Sequence, residues 1–177
     1  MVSSFLQLLE KKYSHAIGPD GKEYINFAVD GANRMKGLIS DLLKYSRVGT
    51  KARPFEKTDM GEVMHMVLTN LSNSIKDKRA IIKMDPIPEI DADESQMIQL
   101  FQNLIANALK FCDKTNPEVS IKVEESAQNI AISIIDKGIG IDERFLDKIF
   151  VIFQRLHSRD DYEGTGIGLA VCKKIVE

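Results

Sequence analysis

The stretch Asn103-Leu-Ile-Ala-Asn107-Ala-Leu-Lys110-Phe111 closes a segment, residues 93–111, whose pattern decides the fold. Met97, Ile98, Leu100, Phe101, Leu104, Ile105, Ala108 and Leu109 recur at helical spacing and make the segment apolar on two sides. Between those sides runs a row of Gln99, Asn103, Asn107 and Lys110, which helical geometry stacks on one face. A solvated face would favour Glu, Lys and Gln, because asparagine is a poorer helix former. Two asparagines inside a helix therefore point to side chains recruited for a ligand. Taken on this helix alone, an ordinary polar stripe accounts for the same pattern. An amide carbonyl oxygen suits a hard cation such as Mg2+, which keeps waters and shares phosphate oxygens. Lys110, one turn on, is placed to offset phosphate charge.

Two glycine turns follow in the chain. Asn129-Ile-Ala-Ile-Ser-Ile-Ile-Asp136 reads as a strand ending on an acid, continued by Lys137-Gly138-Ile-Gly140. Glycine after a strand permits positive φ and a close backbone approach. A carboxylate held there can accept from the exocyclic amine of adenine, although the pattern by itself is a common turn. Gly164-Thr165-Gly166-Ile-Gly168-Leu169 leads into a helix containing Ala170, Val171, Ile175 and Val176. Glycine-rich backbone at a helix start offers unpaired N–H groups and a positive dipole end to an anion. Its spacing matches neither a Walker loop nor a dinucleotide fingerprint. Between the turns, Phe150 and Phe153 read as core anchors on a short helix near 142–149. The polar run 154–163 behind them reads as a mobile lid. Arg155 or Arg159 could swing from it toward phosphates, a solvated loop charge being the default.

The first 48 residues carry a different periodicity. Phe5, Leu6, Leu8, Leu9 and Tyr13 form one helical stripe, and Gly18-Pro-Asp-Gly21 breaks it. Tyr24, Ala28, Gly31, Met35, Leu38, Leu42 and Tyr45 then alternate in steps of four and three, a seam that asks for a coiled partner. A helical hairpin that dimerises into a four-helix bundle is the economical solution. Packing of both helices on the rest of the same chain is the alternative. Residues 49–54 form a basic linker, and from 55 the pattern is mixed α and β. Strands are expected at 55–58, 81–84, 89–91, 118–125 and 129–136. A helix capped by Asp59 is expected over 60–78, and another from about 167.

The chain of 177 residues has room for one domain and a small accessory element. A 44% hydrophobic and 28% charged composition is that of a soluble globular protein. A net charge of −2 gives no reason to expect nucleic acid or an anionic membrane. The apolar stretches are too short to span a bilayer, and no secretory leader opens the chain. Cys112 and Cys172 lack metal or redox spacing and read as reduced, cytoplasmic thiols.

Together these residues resemble the catalytic core of sensor histidine kinases in the GHKL ATPase superfamily, and most closely phytochrome-like and PAS-linked kinases. Residues 103–111 resemble the N box, 136–140 the G1 box, 150–153 the F box and 164–169 the G2 box. The resemblance covers essentially the whole chain. It implies an α+β protein: a dimerisation hairpin at 1–48, then an ATP-binding α/β sandwich at 55–177 with a mixed sheet on one side and three helices on the other. It further implies that Asn107 binds Mg2+, Asp136 meets the adenine amine and Gly138 and Gly140 wall the pocket. Gly164, Thr165, Gly166, Gly168 and Leu169 would flank the phosphates, with Asn103, Lys110 and Arg155 nearby.

Hydrolytic members of the superfamily carry a glutamate where Asn103 stands, and an amide cannot act as a general base. The implied reaction is therefore transfer of the ATP γ-phosphoryl group to a histidine, with relay to a response-regulator aspartate. The implied partners are a second copy of the chain, a receiver domain and an upstream PAS- or GAF-like sensor, in the cytoplasm. An acceptor histidine in this family is followed by an acid and soon by a proline. His15, His65 and His157 are not, so the expected acceptor lies upstream of Met1. The family's last two strands are likewise expected beyond Glu177. A nucleotide-binding and dimerisation module without phosphotransfer is the alternative function.

Overall fold

The structure is a computed structural model that describes residues 2–13, 15, 17–49, 54–112, 116–158, 162 and 164–177. It divides into two compact units, Met1–Lys44 and Tyr45–Glu177. In the first, α1 (Val2–Tyr13) is followed by α2 (Pro19–Arg47), which runs on into the second unit. Gly18-Pro-Asp-Gly21 breaks the chain only at Gly18. Proline fits the first helical position because its missing N–H would be unpaired there anyway, so α2 starts on Pro19. Ile25 and Ala32 are the buried residues of α2. Tyr24, Ala28, Met35 and Leu42 of the expected seam are exposed, as are Phe5, Leu8, Leu9 and Tyr13 of α1.

The second unit is built on α5 (Glu94–Lys110). Its start is set by Asp93, whose carboxylate accepts from the N–H groups of Ser95 at 2.9 Å and Gln96 at 3.3 Å. Buried Leu100, Phe101, Ile105, Ala108 and Leu109 face inward. Met60, Val63, Met64 and Val67 of α3 (Met60–Asn70) meet them in a common core. Val119 and Ile121 of β4 (Glu118–Glu125) complete it, flanked by Ile132 and Ile134 of β5 (Ile130–Asp136).

The expected helix 60–78 is two helices. Asp59 caps α3 as anticipated, accepting from Gly61 N–H at 2.8 Å. The axis then breaks at Leu71 (φ −93°, ψ 5°) before α4 (Ser72–Lys78). Asn70, Ser72, Asn73 and Ser74 crowd this point, and such side chains compete for backbone hydrogen bonds. Leu71 itself is buried. α4 ends on Arg79 in the left-handed region (φ 52°), where Arg79 and Ala80 return their N–H groups to Lys76 and Ile75.

The sheet is mixed. β2 (Ile81–Met84) pairs parallel to β4, and β4 pairs antiparallel to β5 with Ile121 opposite Ile134. Alternation along β4 and β5 sends Val119, Ile121, Ile132 and Ile134 toward the helices, giving the expected sandwich. The expected strands at 55–58 and 89–91 form a separate antiparallel ribbon, β1 (Glu56–Thr58) with β3 (Ile90–Ala92). α6 (Gly168–Val176) packs beside α5. Among the described residues no helix is long and apolar enough to cross a membrane.

Two stability outcomes follow. Ile105→Ala, at a fully buried position, should cost about 3–4 kcal/mol in denaturant unfolding. Arg79→Gly should raise stability by about 0.5–1 kcal/mol by relieving the left-handed residue; thermal unfolding of both variants checks this.

Candidate functional site

The amide row of α5 meets the glycine-rich segment that leads into α6, and Phe111, just beyond the row, meets the Asp136 turn. Gln99, Asn103, Asn107 and Lys110 are each half-buried, so the row is neither core nor a fully solvated face. At its middle, Asn103 Nδ2 donates to Gly168 O at 3.3 Å. One turn further along α6, the Cys172 thiol donates to Leu100 O of α5 at 3.9 Å. Burial pushes that thiol up to about 11, against the opposing pull of Asn103. Asn103 thus ties the polar face of α5 to the first turn of α6. Ile167 at the cap position has no side-chain acceptor, so among the described residues no cap side chain serves the leading N–H groups of that turn.

At the row's C-terminal end, Lys110 Nζ lies 3.0 Å from where a Cβ on Gly164 would sit, and 4.3 Å above the Phe111 ring. Phe111 caps α5 and joins the second motif through backbone. Its carbonyl accepts the Ile139 N–H at 3.0 Å, so close to Gly138 that a Cβ there would fall 2.5 Å from it. Asp136 Oδ1 accepts the Gly138 N–H at 2.8 Å, which folds the turn back over the strand end. Gly140 takes φ 74° with open space around it. The third motif is tied to the F-box segment, where Phe153 N–H donates to Gly166 O at 3.0 Å. Gly166 sits at φ 75°, and a Cβ there would meet Gln154 O at 2.8 Å. Thr165 and Leu169 are half-buried alongside.

The structure corrects the F-box expectation. Residues 143–145 form one 3-10 turn that continues as turns, and Phe150 and Phe153 are 39% and 56% exposed. The inward side chain is Ile152, packed against Val48, Ile167 and Val171. The spacing of the two rings misled because a turn does not keep residues three apart on one inner face, and of the two residues between them Ile152 is the one turned inward. Arg155 stays in its own loop, its guanidinium donating to the carbonyls of Ser158 and Tyr162. His157 and Tyr162 pack tilted against Phe111, at 5.9 and 5.0 Å between ring centroids. Arg159 and linker residues 50–53 lie outside the described residues.

Sequence reasoning passed over an ion network behind the Asp136 turn. Glu118 on β4 pairs with Lys83 of β2 and, at 2.8 Å, with Lys137 beside Asp136. Hydrogen bonds from Lys137 and then Lys83 hold the Glu118 carboxyl down at about 2. The signal was a register, Ile81 opposite Glu118 and Val119 opposite Asp136, invisible before the strands were paired. Among the described residues no three His, Cys, Asp or Glu side chains cluster as a metal site. The hard oxygen donors in this row are the side-chain amides of Gln99, Asn103 and Asn107.

The family model for histidine kinase-, DNA gyrase B- and HSP90-like ATPases matches residues 92–177, the segment from the cap of α5 through α6. Those residues belong to that ATPase family. The chain is 47% identical to cyanobacterial phytochrome A of Nostoc sp. and 46% identical to phytochrome-like protein Cph1 of Synechocystis sp., over 99% of its length in both cases. It spans only 23% and 24% of those proteins. Among solved structures, ShkA in complex with AMPPNP superposes with a TM-score of 0.68 at 23% identity, covering 98% of this chain and 36% of ShkA. AdeS of Acinetobacter baumannii gives 0.67 at 22%, covering 98% of this chain and 82% of AdeS. ThkA in complex with the response regulator protein TrrA also gives 0.67 at 22%, covering 99% and 49%. The ATPase domain therefore has the fold of histidine kinase catalytic domains, and its homologues are phytochrome-like histidine kinases and sensor kinases.

The ion network makes a pH outcome measurable. Glu118 titrates lower in the fold than its ordinary 4.5, so its contribution is present above pH 4.5 and lost as pH falls toward 2. The urea midpoint of the wild type should exceed that of Glu118→Gln at pH 6 and converge with it near pH 2. Gly166→Ala should unfold earlier than wild type at every pH, because its Cβ strikes backbone at a left-handed position.

Proposed function

We propose that the ATPase domain binds Mg-ATP and passes its γ-phosphoryl group to a histidine outside these 177 residues, for relay to an aspartate of a receiver domain. The observation that carries this reading is the Asn103 to Gly168 hydrogen bond. It brings an amide-lined helix against the glycine-rich start of α6, the two surfaces that phosphates and a hard cation need together. The roles follow from placement. Asn107 would hold magnesium, which when bound neutralises phosphate charge. Lys110, already at Gly164, faces the same phosphates. The first-turn N–H groups of α6, with Gly164, Thr165, Gly166 and Leu169 around them, receive an anion. Asp136 spends one oxygen on Gly138 and turns the other to an adenine amine, while Gly138 and Gly140 let the backbone approach the base. Arg155 organises the loop that covers the site.

Asn103 has no basic atom and activates no water, so this domain positions and neutralises rather than hydrolyses. The two solved relatives in complex with AMPPNP and with a response regulator support the ligand and partner assigned here. The exposed apolar side chains of α1 and α2 support a second copy of the chain as partner of the hairpin, assigned to residues 1–48, with the ATP-binding part at 55–177. The lengths of the curated relatives support an upstream sensor domain. The site chemistry and the reduced state assigned to Cys112 and Cys172 suit the cytoplasm.

Asn107→Ala should weaken Mg-nucleotide binding at least ~10-fold, about 1.4 kcal/mol, and abolish the gain on adding magnesium. Asp136→Asn should remove the preference for ATP over GTP. Titration calorimetry with a non-hydrolysable ATP analogue reads both, and unchanged affinities would relocate the pocket. Phosphohistidine formed on a supplied acceptor hairpin, absent with Asn107→Ala, tests the transfer. Tight binding without any transfer favours the non-catalytic module.

A further inference from the structure

The carbonyl end of α5 is closed from outside by one side chain. A helix leaves its last carbonyls without intrahelical N–H partners, and buried ones must find others. In α5, Asn107 O receives the Phe111 N–H at 2.9 Å and Phe111 O receives the Ile139 N–H at 3.0 Å. Of the three carbonyls between them, those of Leu109 and Lys110 are served by Lys78. Its Nζ lies 2.7 Å from Leu109 O and 3.4 Å from Lys110 O. A cation at this end also meets the negative pole of the helix. Lys78 is itself fixed. It is the last residue of α4, followed by the left-handed Arg79, and its own carbonyl accepts the Asn116 N–H at 3.3 Å. Ile81 N–H, just beyond, bonds Pro117 O at 2.9 Å, which ties the segment to the sheet.

The turn that Lys78 closes carries Asn107, Lys110 and Phe111, and the carbonyl next to its two bonds holds the Gly138 turn. We propose that Lys78 is a positioning residue for the nucleotide site, an inference that rests on the reading of that site given above. Its ammonium fixes the last turn of α5, and so the height at which Lys110 meets the Gly164 segment and Phe111 O meets Ile139. Lys78 makes no contact with the ligand. Its removal leaves the buried Leu109 with an unserved carbonyl, so the turn reorients or frays.

The test uses Lys78→Met, with Lys78→Arg as the conservative variant and Lys76→Met as a control that removes a cation from the same turn of α4. In the full 177-residue chain, Lys78→Met should weaken binding of a non-hydrolysable ATP analogue about tenfold, the scale of one lost charge-assisted hydrogen bond. Amide hydrogen exchange at Ile139 and Phe111 should rise in the same variant. Lys78→Arg and Lys76→Met should stay within about twofold of wild type in both measurements. If Lys78→Met does not fold, Lys78→Gln is read in its place. Wild-type affinity and wild-type exchange at Ile139 in the substituted protein would overturn the proposal, as would an equal loss in Lys76→Met. If the unmodified chain binds no nucleotide, the nucleotide reading fails separately, and Ile139 exchange alone still decides whether Lys78 sets the turn.

Discussion

One helix is asked to do two incompatible things at once, and the rest of the ATPase domain is arranged around that demand. α5 must bury Leu100, Phe101, Ile105, Ala108 and Leu109 against α3 and the sheet. The same seventeen residues must present amides at the height where a glycine-rich segment passes. The 3.6-residue period allows both only if the helix neither slides nor rotates. Its start is locked by the Asp93 carboxylate and its end by Phe111 and the lysine from α4. Clamped at both ends, the helix transfers the rigidity of the core to its polar face.

Much of this was legible in the sequence because it is periodic or local. The apolar faces of 93–111, the Asp59 cap and the alternation along 118–125 and 130–136 are dictated by side chains a few residues apart, and each stands where its pattern put it. So did the amide row, since Asn at helical spacing is costly without a purpose. That the row, the Asp136 turn and the glycines from 164 to 168 serve one site was an expectation drawn from the three motifs taken together and from the resemblance. Nothing local specifies that α6 returns beside α5.

What failed to show had long-range causes. Leu71 breaks a helix whose apolar rhythm runs through it, because polar neighbours loosen the backbone while the core holds the leucine. Phe150 and Phe153 look like anchors, yet a turn reverses the parity and Ile152 takes the inner place. Along the Tyr24 to Leu42 seam, Tyr24, Ala28, Met35 and Leu42 are exposed in the single chain while Gly31 and Leu38 are half-buried. Glu118 bridges Lys83 and Lys137 only after three strands from distant parts of the chain align.

The junction between α5 and the Asp136 turn is made peptide to peptide, carbonyl of 111 to amide of 139, with a missing methyl at 138 as its clearance. Such a seam is blind to side-chain identity at both of its ends. Substitution at 111 or 139 leaves the connection intact, whereas a side chain at 138, or the insertion or deletion of a single residue between 136 and 139, would break it. The interval between acid and glycine is therefore as much a part of this junction as the glycine itself.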